Sequence, residues 1–272
     1  MASGAVQANA IREARENGYY TIAMDGAVDA PGFVEAHDFF IADITSSAEI
    51  IRVFRASRAD AIVNISCDAA LLAVATACEK LGLPGVPVDA ARVSRSKLLQ
   101  RNAISSAGLL VPKYQTVTNL GAALKAWDDF QVEACVIKPI DASGSRGVSL
   151  VDKRVDVSAA FFRAQQNSFS GLVMVESFIA GIEYSVEAWV VDSNLHILAT
   201  SEKIRSEPPY LLDQEVHFPD NLSPGERRLM VDCATRAIRA CGFRACPVHV
   251  ELIYSDSGPV IVELAARGAG FK

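Results

Sequence analysis

No stretch of this 272-residue chain is apolar and long enough to cross a bilayer. The longest run free of Asp, Glu, Lys and Arg is the twelve residues from Ala164 to Val175, which include Gln, Asn and Ser, whereas a spanning helix needs about 20 apolar residues. The opening segment MASGAVQANAIREARENG lacks a basic stretch leading into an apolar core, so it does not read as a secretory signal, and a cytoplasmic location is expected. Long blocks of one charge are also missing. With 26 Lys and Arg against 32 Asp and Glu, net charge -6, the chain has no basic field to neutralise phosphates, and neither a nucleic-acid nor a membrane partner is expected. None of the six cysteines (Cys67, Cys78, Cys135, Cys233, Cys241, Cys246) forms a Cys-x-x-Cys pair, and most lie in apolar stretches, so they read as reduced core thiols. Gly-Lys-Ser/Thr, Gly-x-Ser-x-Gly and His-Glu-x-x-His are all absent, which excludes a Walker loop, a nucleophile elbow and a zincin site.

What is present is 50% apolar residues, enough for one large core or two or three small ones. Up to about residue 85 helix and strand patterns alternate. Ala5–Asn17 reads as a helix stopped by Gly18, Tyr19–Met24 and Phe39–Ala42 as buried strands, and Ser46 with Glu49 as the cap of a second helix. Ala61–Ile65 reads as a third strand and Ala69–Leu81 as a third helix. This pitch predicts a parallel sheet covered on both faces. The strand that should open such a unit is absent before Gly4, where a dinucleotide fingerprint would also have to lie; a nicotinamide-binding reading therefore has little support.

After Val88 the pattern becomes α+β. A basic helix is expected over Ser94–Ala107, strands over Ala134–Lys138 and Leu172–Glu176, and helices over Val155–Gln166 and Glu226–Ala240. Two hairpins are expected, Glu183–Val191 with Leu195–Ile204 about Asp192-Ser193-Asn194, and Pro247–Tyr254 with Pro259–Ala265 about Asp256-Ser257-Gly258.

Three groups of residues carry chemistry. Val136-Ile137-Lys138-Pro139 leads into Asp141-Ala142-Ser143-Gly144-Ser145-Arg146-Gly147, a loop whose backbone N–H groups and flanking cations suit a polyphosphate, although an ordinary solvated hairpin loop has the same composition. Glu251 and Glu263 sit in otherwise apolar strands of the last hairpin, where carboxylates are costly unless paired or bound to a hard cation such as Mg²⁺. Arg267 follows closely, either as an ion-pair partner or as a clamp on a phosphoryl group.

In order along the chain these features resemble the ATP-grasp superfamily, of the carboxylate-amine ligase type. The resemblance implies an α/β fold with a Rossmann-like pre-domain over residues 1–93 and an ATP-grasp domain over 94–272, the latter divided into a small lid lobe, about 112–177, and a partial C-terminal lobe, 178–272. By the same resemblance Lys97 and Lys138 match the two ATP-phosphate lysines, and Ser143, Gly144, Ser145, Arg146 and Gly147 belong to the flexible glycine-rich loop. Glu176, Phe178 and Ile179 match the adenine-recognising hinge, and Glu183 the ribose-holding carboxylate. Glu251 and Glu263 match the metal ligands for Mg²⁺ or Mn²⁺, and Arg267 the arginine facing an acyl-phosphate. Two departures stand out: Ala265 occupies the place of a common Asn metal ligand, and the chain reads as cut inside its first strand and soon after Arg267.

The activity implied is ATP-dependent phosphorylation of a small-molecule carboxylate, then attack of an amine, with Lys138, Arg146 and Arg267 as the catalytic cations and a homodimer left open. His249, on the same strand face as Glu251, and Arg205 and His217, in the segment over the acceptor side, are candidate substrate contacts; a satisfied core histidine and a solvated loop are the plainer alternatives. Two other functions fit the same motifs: a carboxyphosphate-forming enzyme like biotin carboxylase, and a truncated nucleotide-binding chain without activity.

Overall fold

Glycine and serine set the ends of the first helices, as local backbone chemistry requires. The computed structural model describes residues 1–191 and 194–270. Helix α1 (Ala5–Glu16) stops just before Gly18, which takes a φ of +87°. Strands β1 (Ile22–Asp25) and β2 (Asp38–Ile41) pair in parallel across a short 3-10 turn at Pro31–Glu35. Helix α2 (Ser47–Ser57) starts behind Ser46, whose hydroxyl accepts the Glu49 N–H at 3.3 Å. Helix α3 (Asp68–Leu81) ends at Gly82, φ +68°.

The third expected strand, Ala61–Ile65, does not form. A strand needs a ladder partner, and the free edge of β1 is separated from this segment by a cavity of about 550 Å³ lined by Ile22, Met24, Val53, Ile62, Val63 and Ile65. Its carbonyls are met by single donors instead, the Met1 amine on Val63 at 2.7 Å and the Gly268 N–H on Ile65 at 2.6 Å. The covered parallel sheet expected here is thus only a two-stranded one.

The basic helix also differs from expectation. Residues Val88–Ser94 form α4, the chain breaks at Arg95, and α5 (Lys97–Ser106) begins behind Ser96, which caps the Leu99 N–H. The break turns Lys97 and Arg101, one helical turn apart, to a single buried face.

An antiparallel sheet follows, in the order β3-β6-β4-β5. Its parts are β3 (Tyr114–Val117), α6 (Leu120–Phe130), β4 (Cys135–Pro139), β5 (Ser149–Val151), α7 (Val157–Gln166) and β6 (Val173–Ser177). Val117, Ala126, Ile137, Phe161 and Val173 form its separate core with the two helices.

The remaining residues form the second antiparallel sheet, in the order β11-β10-β7-β8-β9. The elements are β7 (Ile182–Val191), β8 (Asn194–Arg205), β9 (Asp213–His217), α8 (Pro224–Ala240), β10 (Cys246–Ser255) and β11 (Gly258–Ala265). Asp192 and Ser193 of the expected first turn lie outside the described residues. Helix α8 has a reciprocal capping box between Ser223 and Glu226. Alternation does the rest: Tyr184, Val186, Val248, Val250 and Leu252 pack with Met230, Ala234 and Ala237 of α8, so the intervening Glu183, Ser185, Glu187, His249 and Glu251 take the opposite face. Leu71 of α3, Ala91 of α4 and Ile104 of α5 join this same core, which ties the amino-terminal elements to the second sheet.

The six cysteines are free, five buried and Cys67 half-buried. Among the described residues no helix is long and apolar enough to cross a membrane.

Candidate active site

Between the two antiparallel sheets lies a cavity of about 140 Å³ into which most of the expected site residues converge. Lys97 and Arg101 come from α5, Lys138 from β4, Ser143–Arg146 from the glycine-rich loop, Glu176–Ile179 from β6 and the linker after it, and Arg205, His249, Glu251, Glu263 and Arg267 from the second sheet and its exit. The loop owes its shape to three left-handed residues, Gly144, Ser145 and Gly147. At Gly147 a side chain would meet Asn167 Cβ at 2.8 Å, so glycine is demanded there by space as well as by φ.

The charges are arranged in two clusters. In the first, the buried Glu176 carboxylate accepts Arg101 Nε at 2.6 Å and pairs with Lys138 Nζ at 2.6 Å. Burial works to raise this carboxyl, but the charges of Arg101 and Lys138 outweigh it and hold Glu176 at about 2. Burial lowers Lys138 from the usual lysine value, with Glu176 opposing. The Glu176 side chain is therefore committed to two cations. Lys97 donates to the Ala142 carbonyl at 2.7 Å and to Glu263 at 3.0 Å, which places it between the glycine-rich loop and the second sheet.

The second cluster surrounds Glu251. Glu251 and Glu263 are direct cross-strand partners in the β10–β11 ladder, next to a bulge at Glu251/Leu252. Lys203 Nζ lies 2.8 Å from Glu251, 2.9 Å from Glu183 and 2.8 Å from Asp213. His249 bridges Glu187 through Nδ1 and Glu251 through Nε2, the latter at 3.2 Å. Burial opposes protonation of the ring, but the bonds to Glu187 and then Glu251 prevail and raise it to about 9. Burial would raise Glu251 too, yet His249 and Lys203 hold it well below the usual carboxylate range. Burial, and next the Glu251 charge, push Glu183 up to about 7.

Two expected contacts fall elsewhere. Glu183 is buried, held by Lys203 and by Arg205 at 2.7 Å, and does not line the cavity. His217 is on the outer strand β9, half exposed and paired with Glu215 at 2.7 Å, away from the cavity. Arg205 does reach the cavity, with its guanidinium steered by Glu183 and Asp213.

Arg101, Lys203, Asp213 and Glu187 escaped sequence reasoning. A signal existed for the first two: Arg101 lies four residues after Lys97 on one helix, and Lys203 shares a strand face with Arg205 and pairs in register with Glu183. For Asp213 and Glu187 there was none, because their roles depend on which strands become neighbours.

Residues 131–272, just over half of the chain, match the ATP-grasp domain family, and the chain belongs to it. Among curated proteins it is 26% identical over 249 residues to alanine–anticapsin ligase of Bacillus subtilis, covering 82% of this chain and 52% of that one. It is 27% identical over 273 residues to formate-dependent phosphoribosylglycinamide formyltransferase of Vibrio vulnificus, covering 98% and 68%. Among solved structures, an L-amino acid ligase from Bacillus licheniformis superposes with a TM-score of 0.81 at 24% identity, over 96% of this chain and 64% of that one. An ADP complex of N5-carboxyaminoimidazole synthetase from Staphylococcus aureus gives 0.82 at 16%, over 98% and 69%. The structural likenesses establish the fold, and the chain spans about half the length of the first curated relatives it matches.

Proposed function

We propose that this chain carries the nucleotide site and much of the catalytic site of an ATP-dependent carboxylate-amine ligase. The observation that carries the proposal is the convergence, in one cavity, of Lys97, Lys138 and the glycine-rich loop on one side with the facing Glu251–Glu263 pair and Arg267 on the other. The names of two relatives, an alanine–anticapsin ligase and an L-amino acid ligase, support it.

The residues fit a divalent cation of the Mg²⁺ or Mn²⁺ kind. Glu251 and Glu263 are hard oxygen donors in cross-strand register, while Ala265 offers no third donor and no cluster of three metal-binding side chains occurs among the described residues. The other ligands then come from phosphate oxygens and water. When bound, the ion supplies neutralisation of charge on the phosphate chain.

Lys97 and Lys138 hold the phosphates, and the N–H groups of residues 143–147 cover them. A carboxylate oxygen of the substrate attacks the γ-phosphorus in line, the bond to the β–γ bridging oxygen breaks, and ADP leaves. Arg267 steadies the charge on the acyl-phosphate. An amine nitrogen then attacks the acyl carbon, the C–O bond to phosphate breaks, and the amine gives up its proton as phosphate departs. The protein needs no nucleophile of its own, only positioning and charge. An ATP-consuming reaction suits the cytoplasm, as do six free thiols.

The test is ADP release from ATP across a panel of carboxylates with amines, and with bicarbonate alone. Release that requires both an organic carboxylate and an amine, and is abolished by Lys138→Ala and by Glu263→Ala, supports the ligase. Release with bicarbonate and no organic carboxylate favours the carboxyphosphate chemistry, and ATP binding with no release under any condition overturns both.

A further inference from the structure

Resting on this reading, we infer that Asp68 is a positioning residue for Arg267, so that the amino-terminal elements complete the catalytic site. Asp68 is the first residue of α3, and its Oδ1 lies 2.8 Å from Nε of Arg267, close in distance but off the N–H axis. It stands outside the cavity lining, whereas Arg267 is part of it. The N-cap of α3, Cys67, makes no side-chain cap, and the Asp68 carboxylate is turned to the arginine.

A second tie lies one residue on. Arg267 Nη1 donates to the Gly268 carbonyl at 2.7 Å, and the Gly268 N–H donates to the Ile65 carbonyl at 2.6 Å. An added Cβ at Gly268 would stand 3.3 Å from that same oxygen, so the approach is close. Nη1 is thus hydrogen-bonded and Nε sits against the Asp68 carboxylate as an ion pair, while Nη2 makes no hydrogen bond among the described residues.

Orientation follows from the planarity of the group. A guanidinium is a rigid fork, and fixing two of its nitrogens fixes the direction of the third. Besides Asp68, the opposite charges that act on Arg267 are Glu263 and Glu251 on the second sheet; without Asp68 they would draw Arg267 onto the carboxylates that the proposed cation needs. Because α3 shares its core with the second sheet through Leu71 and Ala75, Asp68 is held on a rigid support relative to Arg267.

The experiment compares Asp68→Asn, Asp68→Glu and Arg267→Lys, singly and combined, by steady-state ADP release with the active substrate pair, alongside ATP binding and thermal unfolding. Asp68→Asn is isosteric and is expected to lower kcat about 10- to 100-fold, the cost of a misplaced catalytic group, with the KM for ATP within about twofold of wild type. Asp68→Glu should recover part of the loss. In the Arg267→Lys background Asp68→Asn should lower kcat by less than about threefold, since a residue acting through another loses its effect with it. Unchanged kcat in Asp68→Asn overturns the inference, as does an equal loss in both backgrounds. If Asp68→Asn does not fold, Asp68→Glu decides: wild-type kcat with the longer side chain overturns the positioning role. A wild-type protein that releases no ADP overturns the proposed function itself, and the inference with it.

Discussion

Glu176 stands at the centre of the first charge cluster, between two cations that are themselves buried. Held at about 2 in the folded protein, its carboxyl stays ionised far below its ordinary value. The folded state therefore binds this proton less tightly than the unfolded chain does, so the contribution to stability is present above about pH 4.5 and is lost as pH falls through about 2. Replacement by Gln leaves Arg101 and Lys138 without a counter-charge, and breaking such a buried arrangement typically costs about 3–5 kcal/mol. Glu176→Gln is expected to lower the urea midpoint at pH 7 and to flatten the dependence of stability on pH between about 4.5 and 2. Urea titrations of both proteins across that range measure it, and parallel pH profiles would remove the assigned charge role. Lys138→Ala removes a cation from the same cluster, so its effect on ADP release has to be read beside its unfolding curve.

At the scale of elements, the two halves of the chain are built to different standards. The strands around Glu183 and Glu251 are ten to twelve residues long and paired on both sides. By contrast β1 and β2 have four residues each, with one partner apiece, and the segment 61–65 has none. Open ladders beside a cavity should open locally at low cost. Native-state amide exchange is therefore expected to be at least about tenfold faster at β1, β2 and residues 61–65 than at β7 and β10, and equal protection would mean that the cavity is closed in solution. The element boundaries that sequence reasoning found well are those written in local chemistry, Gly18 and the Ser46 cap; the Ser223–Glu226 box that starts α8 was not read. The helix expected over Ser94–Ala107 begins three residues later, at Lys97, because Ser94 closes α4 and Ser96 caps a new helix.

For the whole molecule, the decisive quantity is the space between the sheets. About 140 Å³ is below the roughly 300–1,000 Å³ of a site that takes a ligand the size of a nucleotide. On the proposed function the glycine-rich loop is expected to lift as ATP enters, against ties to the rest of the molecule from Lys97 Nζ to the Ala142 carbonyl at 2.7 Å and from Ser145 Oγ to the Leu211 carbonyl at 3.5 Å. A non-hydrolysable ATP analogue with Mg²⁺ is expected to raise the thermal midpoint and to slow proteolysis within residues 141–148, with stabilisation of about 2.7 kcal/mol at a hundred times Kd. Thermal melts with and without the analogue, followed by mass spectrometry of limited digests, measure both. Protection confined to the apolar cavity beside β1 would place the nucleotide in the wrong half of the molecule.

Order along the chain carried the family: Lys138, the loop from Asp141 to Gly147, Glu251 and Glu263 announce themselves by a local anomaly, a charge in an apolar strand or glycine and serine beside a cation, while Lys97 was placed by the resemblance and Arg267 by its nearness to Glu263. Alternation in the last hairpin put both glutamates on facing strands, but from the turn it would pair Glu251 with Val262; the bulge at Glu251/Leu252 sets Glu251 across from Glu263. What local pattern could not supply is the set of partners that neutralise these charges. Arg101 against Glu176, Lys203 among three carboxylates and Asp68 against Arg267 are joined over 75, 20, 48, 10 and 199 positions of chain, and only folding brings them within 3 Å. The electrostatic state of each group depends on those distant neighbours, and long-range partnership has no sequence period.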